Sequence, residues 1–138
     1  MTEIRRYRAR DWPALWALLE PVFRAGDTYA IAPDIDSDEA HGIWVEAPTA
    51  TYVAVDRAGR LVGTYYLKPN QAGPGAHVCN CGYVVAASAR GRGIGATLCE
   101  HSQTAACELG FRAMQYNLVA ATNTGALRLW QHQGFQVV

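Results

Sequence analysis

The chain has 138 residues, of which 50% are hydrophobic, and its formal net charge at pH 7 is zero, with 12 Lys and Arg against 12 Asp and Glu. This length is typical of one domain with a hydrophobic core of its own. The neutral charge speaks against nucleic acid or an anionic membrane as the main partner. The sequence has no apolar run of about 18 residues to span a membrane. Its start, MTEIRR, does not resemble a signal peptide, so we expect a cytoplasmic protein.

The hydrophobic pattern predicts ten elements in the order βααβββαβαβ. An order of this kind predicts an α/β sheet with helices on both of its faces. The predicted elements are a strand at 4–8, helices at 11–25 and 37–46, strands at 51–55, 61–67 and 77–85, a helix at 94–109, a strand at 113–119, a helix from 122 or 123 to 134, and a strand at 135–138.

The four cysteines do not follow a metal-binding pattern. Cys79 and Cys81 stand two residues apart in an apolar run, which puts both on one face of a strand. Cys99 and Cys107 fall in a region of helical periodicity. Because none of these spacings is C-x-x-C, we expect reduced thiols and no metal site.

The most informative stretch is ARGRGIGA at residues 89–96, between a predicted strand and a predicted helix. Glycine lets the backbone pass close to a ligand, and the N–H groups that open a helix favour an anion. Arginine adds charge and paired donors for phosphate. The stretch therefore predicts a phosphate or pyrophosphate site, with a Gly- and Arg-rich surface turn as the alternative. The residues of the predicted site are Arg90, Gly91, Arg92, Gly93, Ile94, Gly95 and Ala96.

This turn lacks the Lys-Ser/Thr end of a P-loop and the G-x-G-x-x-G spacing of a dinucleotide site. It resembles the pyrophosphate loop of the acetyl-CoA-dependent N-acetyltransferase superfamily (GNAT), Q/R-x-x-G-x-G/A, at Arg90, Gly93 and Gly95. A second stretch, NTGALRLWQHQGF at residues 123–135, is similar to the family's N-x-x-A-x-x-L-Y-x-x-x-G-F helix. The resemblance covers most of the chain and is weakest between residues 20 and 50.

The resemblance implies one N-acetyltransferase domain over residues 1–138. It also implies a mixed, mostly antiparallel sheet whose central strands splay apart, with helices on both faces. Family members usually carry one more strand than this sequence provides. Either the sequence is a piece of a longer chain, or the sheet is completed in another way.

The resemblance also implies acetyl-CoA as co-substrate. Val84 and Val85 occupy the strand whose backbone pairs with the pantetheine arm in the family, and residues 90–96 correspond to the pyrophosphate loop. Asn123 matches an asparagine that contacts the coenzyme, although a helix cap also explains it. Trp130 stands where the family usually has the tyrosine that protonates the leaving thiolate, and we expect it to pack against the coenzyme or the core.

The acceptor side departs from the family pattern. Many members place a glutamate base at the position of Asn80, and an amide cannot take a proton at neutral pH. Asn80, Asn117 and Leu118 resemble the subgroup that includes fungal enzymes acetylating L-azetidine-2-carboxylate, where strand asparagines bind a small cyclic amino acid. Two amides satisfying local backbone groups are the alternative. Tyr29 is a substrate contact or a surface tyrosine, and His77 is a candidate base or a histidine at a strand end.

These observations predict an enzyme that acetylates the amine of a small molecule, an amino acid or an analogue of one. Asn80 and Asn117 are its expected catalytic and positioning residues. A protein N-acetyltransferase is an alternative, against which the neutral charge and the lack of an acidic run weigh. A coenzyme-binding sensor without catalysis is a second alternative, because the usual Glu and Tyr are replaced. The sequence leaves a homodimer open.

Overall fold

The computed structural model describes residues 2–25, 32–69, 78–86, 93–111 and 113–115. It contains eight of the predicted elements in the predicted order, and the last predicted helix and strand lie outside the described residues. The elements are β1 (Glu3–Arg6), a 3-10 turn (Ala9–Asp11), α1 (Trp12–Ala25), α2 (Ser37–His41) continuing as a π-helical turn (Gly42–Glu46), β2 (Ala50–Val55), β3 (Leu61–Pro69), β4 (Val78–Val85), α3 (Ile94–Glu108) and β5 (Ala113–Gln115).

The strands form one sheet in the order β1-β2-β3-β4-β5. The first four are antiparallel to their neighbours, and β5 runs parallel to β4. This confirms the mixed, mostly antiparallel sheet. The parallel pairing aligns Val78 with Ala113 and Asn80 with Gln115. The expected splay of the central strands concerns residues 116–119, which lie outside the described residues.

Helices cover both faces of the sheet, as predicted. The α1 face has a core in which Leu15, Leu19 and Phe23 of α1 pack with Trp44 and Val84. The opposite α3 face carries a second core around α3, with members from β2, β3 and β4. That second core contains Ala50, Tyr52, Ala54, Val62, Tyr65, Leu67, Cys79, Cys81, Ile94, Leu98, Ala105 and Ala106. Of the described helices, none is both long and apolar enough to cross a bilayer.

Local side-chain bonds set several element ends. The Asp36 carboxylate accepts the Glu39 backbone N–H at 2.8 Å, and the Glu39 carboxylate accepts the Asp36 N–H at 3.2 Å, which makes a capping box at α2. In the turn between β2 and β3, the Asp56 carboxylate accepts the N–H of Ala58 at 2.9 Å. Gly59 adopts a φ of +80° there, a region that L side chains rarely occupy.

The helical period of the sequence predicts a buried stripe along α3, and all but one of its residues are buried. The predicted stripe is Ile94, Leu98, Cys99, Ala105, Ala106 and Leu109. Leu109 is 37% exposed, because it is the residue after the helix and caps its end. Ser102, which is polar and was absent from the predicted stripe, is fully buried instead. Its hydroxyl donates to the Cys99 carbonyl at 2.7 Å within the same helix, so burial does not leave it unpaired.

Candidate functional site

The start of α3 presents backbone donors that have no partner within the helix. Gly93 caps the helix with a φ of +76°, is exposed, and supplies no side-chain cap. The Thr97 N–H donates to the Gly93 carbonyl at 3.1 Å, as the first backbone bond of the helix. The N–H groups of Ile94, Gly95 and Ala96 therefore precede the helical ladder and have no partner within it. With the positive end of the helix dipole, these groups suit an anion.

The residues that open α3 differ in how deeply they are buried. Ile94 is 5% exposed and packs in the core of the α3 face, so only its backbone faces outward. Gly95 and Ala96 are half-buried. Among the described residues, no atom lies within 4 Å of an ideal Cβ at Gly93. Arg90, Gly91 and Arg92 lie outside the described residues.

The backbone of β4 has one edge turned away from β3. The Ala86 N–H donates to the Val62 carbonyl at 2.8 Å. The backbone groups of every second residue before it in β4 therefore also face β3. In an antiparallel pair the intervening residues direct their N–H and C=O groups to the other side. By this alternation the backbone groups of Val85 and Tyr83 point away from β3. Those of Val84 face β3, opposite Thr64.

Asn80 holds a buried polar atom without a partner. Its side chain shares the α1 face of β4 with Val84, because residues four apart in a strand point the same way. Its Oδ1 atom is buried and accepts no hydrogen bond within the described part of the chain. Most buried polar atoms are paired, so an unpaired amide oxygen marks a place where a ligand group or water is expected.

Tyr66 lies beside Asn80, and the sequence did not single it out. Tyr66 is paired with Gly82 across β3 and β4, and its ring covers that glycine. An ideal Cβ at Gly82 would lie 2.5 Å from Tyr66 Cε2 and 3.1 Å from its hydroxyl oxygen. The ring thus occupies the space of a side chain at position 82. What points to Tyr66 is that a tyrosine stands opposite a glycine, and this pairing can be recognised only when the strand register is known.

Burial keeps the Tyr66 phenol neutral. It raises the pKa of Tyr66 to about 12, with a smaller contribution from Cys81. The hydroxyl of this side chain is therefore a hydrogen-bond donor at neutral pH. Trp44 packs edge-on to the ring, with centroids 4.7 Å apart, and fixes its orientation.

The cysteines of this region are protonated thiols. Burial raises the pKa of Cys79 to about 11 and that of Cys81 well above its usual value. Neither is a thiolate nucleophile at neutral pH. Among the described residues, all four cysteines are free, and no His, Cys, Asp and Glu side chains cluster as metal ligands would.

The described histidines belong to other neighbourhoods. His41 Nδ1 lies 2.8 Å from a carboxylate oxygen of Glu46, and His101 Nδ1 lies 2.5 Å from the Tyr65 hydroxyl on the α3 face. The remaining predicted site residues fall outside the described residues. They are Tyr29, His77, Asn117, Leu118, Asn123 and Trp130.

Comparison with known proteins assigns the family. A sequence profile described as "Acetyltransferase (GNAT) family" matches residues 6–135. N-acetyltransferase aca1 of Schizosaccharomyces pombe is 38% identical over 89 residues, which cover 64% of this chain and 43% of that protein. The chain thus spans less than half the length of this curated relative.

Solved structures share this fold. A GCN5-related N-acetyltransferase from Kribbella flavida superposes with a TM-score of 0.92 at 41% identity, covering 99% of this chain and 83% of that chain. A phosphinothricin acetyltransferase from Sinorhizobium meliloti, in complex with AcCoA, superposes at 0.86 with 18% identity, covering 99% and 76%. At that identity the likeness is one of fold alone. On the profile match and the shared fold together, the chain belongs to the GNAT family of acetyltransferases, which use acetyl-CoA.

Proposed function

We propose that this protein transfers the acetyl group of acetyl-CoA to the amine of a small molecule, an amino acid or an analogue of one. One observation carries the proposal. Among the described residues, β4 carries a buried amide oxygen without a partner, Asn80 Oδ1, and α3 opens with N–H groups that have no partner within the helix. An acceptor amine and an anionic coenzyme need complementary groups of these two kinds.

The described residues fit acetyl-CoA. The N–H groups of Ile94, Gly95 and Ala96 suit its pyrophosphate, and the outward backbone edge at Val85 suits an amide-bearing arm that pairs like an added strand. Bound acetyl-CoA supplies an activated acetyl thioester. Arg90, Gly91, Arg92, Asn123 and Trp130 join this set on the family resemblance.

On the acceptor side, Asn80 positions the amine, because its Oδ1 accepts a hydrogen bond but not a proton. Asn117, Leu118 and Tyr29 join it on the family resemblance. The acceptor therefore reacts as the neutral amine or loses its proton to water. Tyr66, which is neutral and whose ring covers Gly82, is placed to donate a hydrogen bond on the face of the sheet that it shares with Asn80.

A thiol-release assay with acetyl-CoA and a panel of acceptors tests the proposal. The panel contains three amino acids, L-azetidine-2-carboxylate, L-proline and L-alanine. It also contains the three matching amines that lack the carboxylate, azetidine, pyrrolidine and ethylamine, and short peptides. We expect turnover of small acceptors. Turnover of peptides alone would favour a protein N-acetyltransferase, and acetyl-CoA binding without any turnover would favour a sensor.

The pH dependence of kcat/KM tests the route of the proton. With no side-chain base, the rate rises with pH over an alkaline range set by the acceptor, and two acceptors of different amine pKa give different curves. A limb near pH 6–7 that is shared by both acceptors and disappears in His77→Ala would contradict this route and make His77 the base.

A further inference from the structure

Lys68 stands directly opposite Asn80 on the neighbouring strand. Both side chains lie on the α1 face, since Lys68 is two residues from Tyr66 in β3. The Lys68 ammonium nitrogen lies 5.8 Å from the centre of the Tyr66 ring, within the range of a cation–π contact. Lys68 is half-buried. In the described part of the chain, the ion pairs involve other residues, and none neutralises Lys68.

Three neighbouring side chains thus have hydrogen-bonding capacity that the described residues do not use. Lys68 offers the N–H groups of a cation, and the Tyr66 hydroxyl offers a neutral donor. Asn80 offers a buried acceptor, its Oδ1 atom. A half-buried cation without a counter-charge favours an anion, because the attraction between charges grows as water is excluded. The three groups complement a molecule with an N–H group and a carboxylate a few bonds apart.

We propose that Lys68 is a specificity residue that binds the carboxylate of an amino-acid acceptor, with the Tyr66 hydroxyl as a second donor. The amine of that acceptor then lies against Asn80 Oδ1. This inference rests on the proposed function and narrows its acceptors to those that carry a carboxylate near the amine. Lys68 binds the acceptor without touching the acetyl group, so its loss acts on KM and leaves kcat largely unchanged.

The test compares Lys68→Met with the unmodified protein on matched acceptors. Methionine keeps most of the length of the side chain and removes the charge. The acceptors are L-azetidine-2-carboxylate with azetidine, L-proline with pyrrolidine, and L-alanine with ethylamine. A hydrogen bond to a charged group corresponds to about a 10- to 100-fold change in affinity. We expect Lys68→Met to raise KM by about tenfold or more for the amino acids and by less than about twofold for the amines.

Two further variants separate charge recognition from folding. Lys68→Arg keeps the positive charge and restores part of the amino-acid affinity. Arg57→Met removes an exposed positive charge in the turn between β2 and β3, at the opposite end of β3 from Lys68, and leaves both KM values unchanged. Calorimetric titration with acetyl-CoA and a thermal melt show whether each variant is folded and binds the coenzyme.

The possible failures are distinguishable. If Lys68→Met raises KM equally for an amino acid and its matched amine, or if the unmodified protein binds both alike, the carboxylate site is wrong and the proposed function stands. If the unmodified protein binds acetyl-CoA but turns over neither class, the proposed function is wrong, and this inference with it.

Discussion

The two faces of β3 and β4 differ in how their polar side chains are paired. On the α3 face, the Tyr65 hydroxyl lies 2.5 Å from His101 Nδ1, and the Tyr83 hydroxyl lies 3.0 Å from the Ser102 hydroxyl. On the α1 face, Asn80 Oδ1 is buried without a partner in the described part of the chain. A buried polar atom left unpaired lowers stability by about 1–3 kcal/mol. The polar groups of the α3 face therefore add stability, whereas the unpaired Asn80 oxygen on the α1 face costs stability, as expected if it serves the acceptor binding proposed above.

The largest effect is expected where the Tyr66 ring covers Gly82. In Gly82→Ala the new Cβ would lie 2.5 Å from Tyr66 Cε2, and the ring is buried against Trp44, so it has little room to move. We expect a loss of about 1–3 kcal/mol in the free energy of unfolding, together with a loss of acetyl transfer. Urea denaturation and the thiol-release assay measure the two effects.

Gly42→Ala is the matched control for that substitution. An ideal Cβ at Gly42 meets no atom within 4 Å, and its φ of −59° is helical. The control is expected to leave stability unchanged or to raise it slightly. Equal stability of Gly82→Ala and the unmodified protein would show that the Tyr66 ring does not occupy the space over Gly82.

The next prediction addresses the two faces directly. Ser102→Ala removes a buried hydroxyl that bonds to the Cys99 carbonyl and contacts Tyr83, so we expect a loss of about 1–2 kcal/mol in unfolding free energy with acetyl-CoA binding retained. Asn80→Leu removes an unpaired amide, so we expect no loss of stability or a small gain, but a loss of turnover. Chemical denaturation and steady-state kinetics on both variants provide the test. An Asn80→Leu variant as destabilised as Ser102→Ala would place Asn80 among the structural groups.

A pair of glycines with the same backbone conformation tests the anion site. Gly93 and Gly59 have φ values of +76° and +80°, and neither has an atom within 4 Å of an ideal Cβ. Valine at either position loses about 1–2 kcal/mol of stability, because this conformation crowds a Cβ. Only Gly93→Val also places a side chain in front of α3. We expect it to raise the acetyl-CoA dissociation constant by about tenfold, or about 1.4 kcal/mol, in calorimetry.

Gly59→Val should leave that dissociation constant unchanged. If Gly93→Val binds acetyl-CoA with the affinity of the unmodified protein, the start of α3 is not the pyrophosphate site.

The smallest effect concerns the pH dependence of stability on the α3 face. Burial lowers the pKa of His101, which faces Tyr65 and Tyr52, below its usual 6.5, and the more distant Glu108 partly offsets this. The unfolded chain therefore binds a proton before the folded chain does, and stability is lost as pH falls from 6.5 through the lowered pKa. Urea denaturation between pH 7 and 5 should show this slope, and His101→Gln should flatten it. A slope unchanged by the substitution would assign it to other groups.

Much of the fold follows from local pattern. The period of apolar residues in α1 and the β-rich apolar runs of β2, β3 and β4 are patterns among near neighbours, so they can be recognised along the chain. The same holds for the turn at Asp56–Arg60 and for Gly93 at the start of α3, since both are short-range conformational requirements. The prediction that Leu109 is buried was wrong because periodicity does not show at which residue a helix ends.

Only part of the candidate site could be predicted from the sequence. Asn80 stood out by its polarity in an apolar strand and by its place in the family pattern. Tyr66 and Lys68 gave no such signal, because a tyrosine and a lysine near the end of a strand are common. Their significance comes from facing Gly82 and Asn80, and that pairing is set by the register between β3 and β4.

By itself, the sequence determined the order of the described elements, the two apolar faces of the sheet and the family motif at the start of α3. Only the tertiary structure decided that the Tyr66 ring lies over Gly82, that Lys68 stands opposite Asn80, and that Val85 rather than Val84 turns its backbone away from β3. The physical reason is the distance along the chain between the residues that decide each feature. Periodicity arises between near neighbours in the chain, whereas strand register depends on how the whole chain packs, and a shift of one residue would turn each of these side chains to the opposite face.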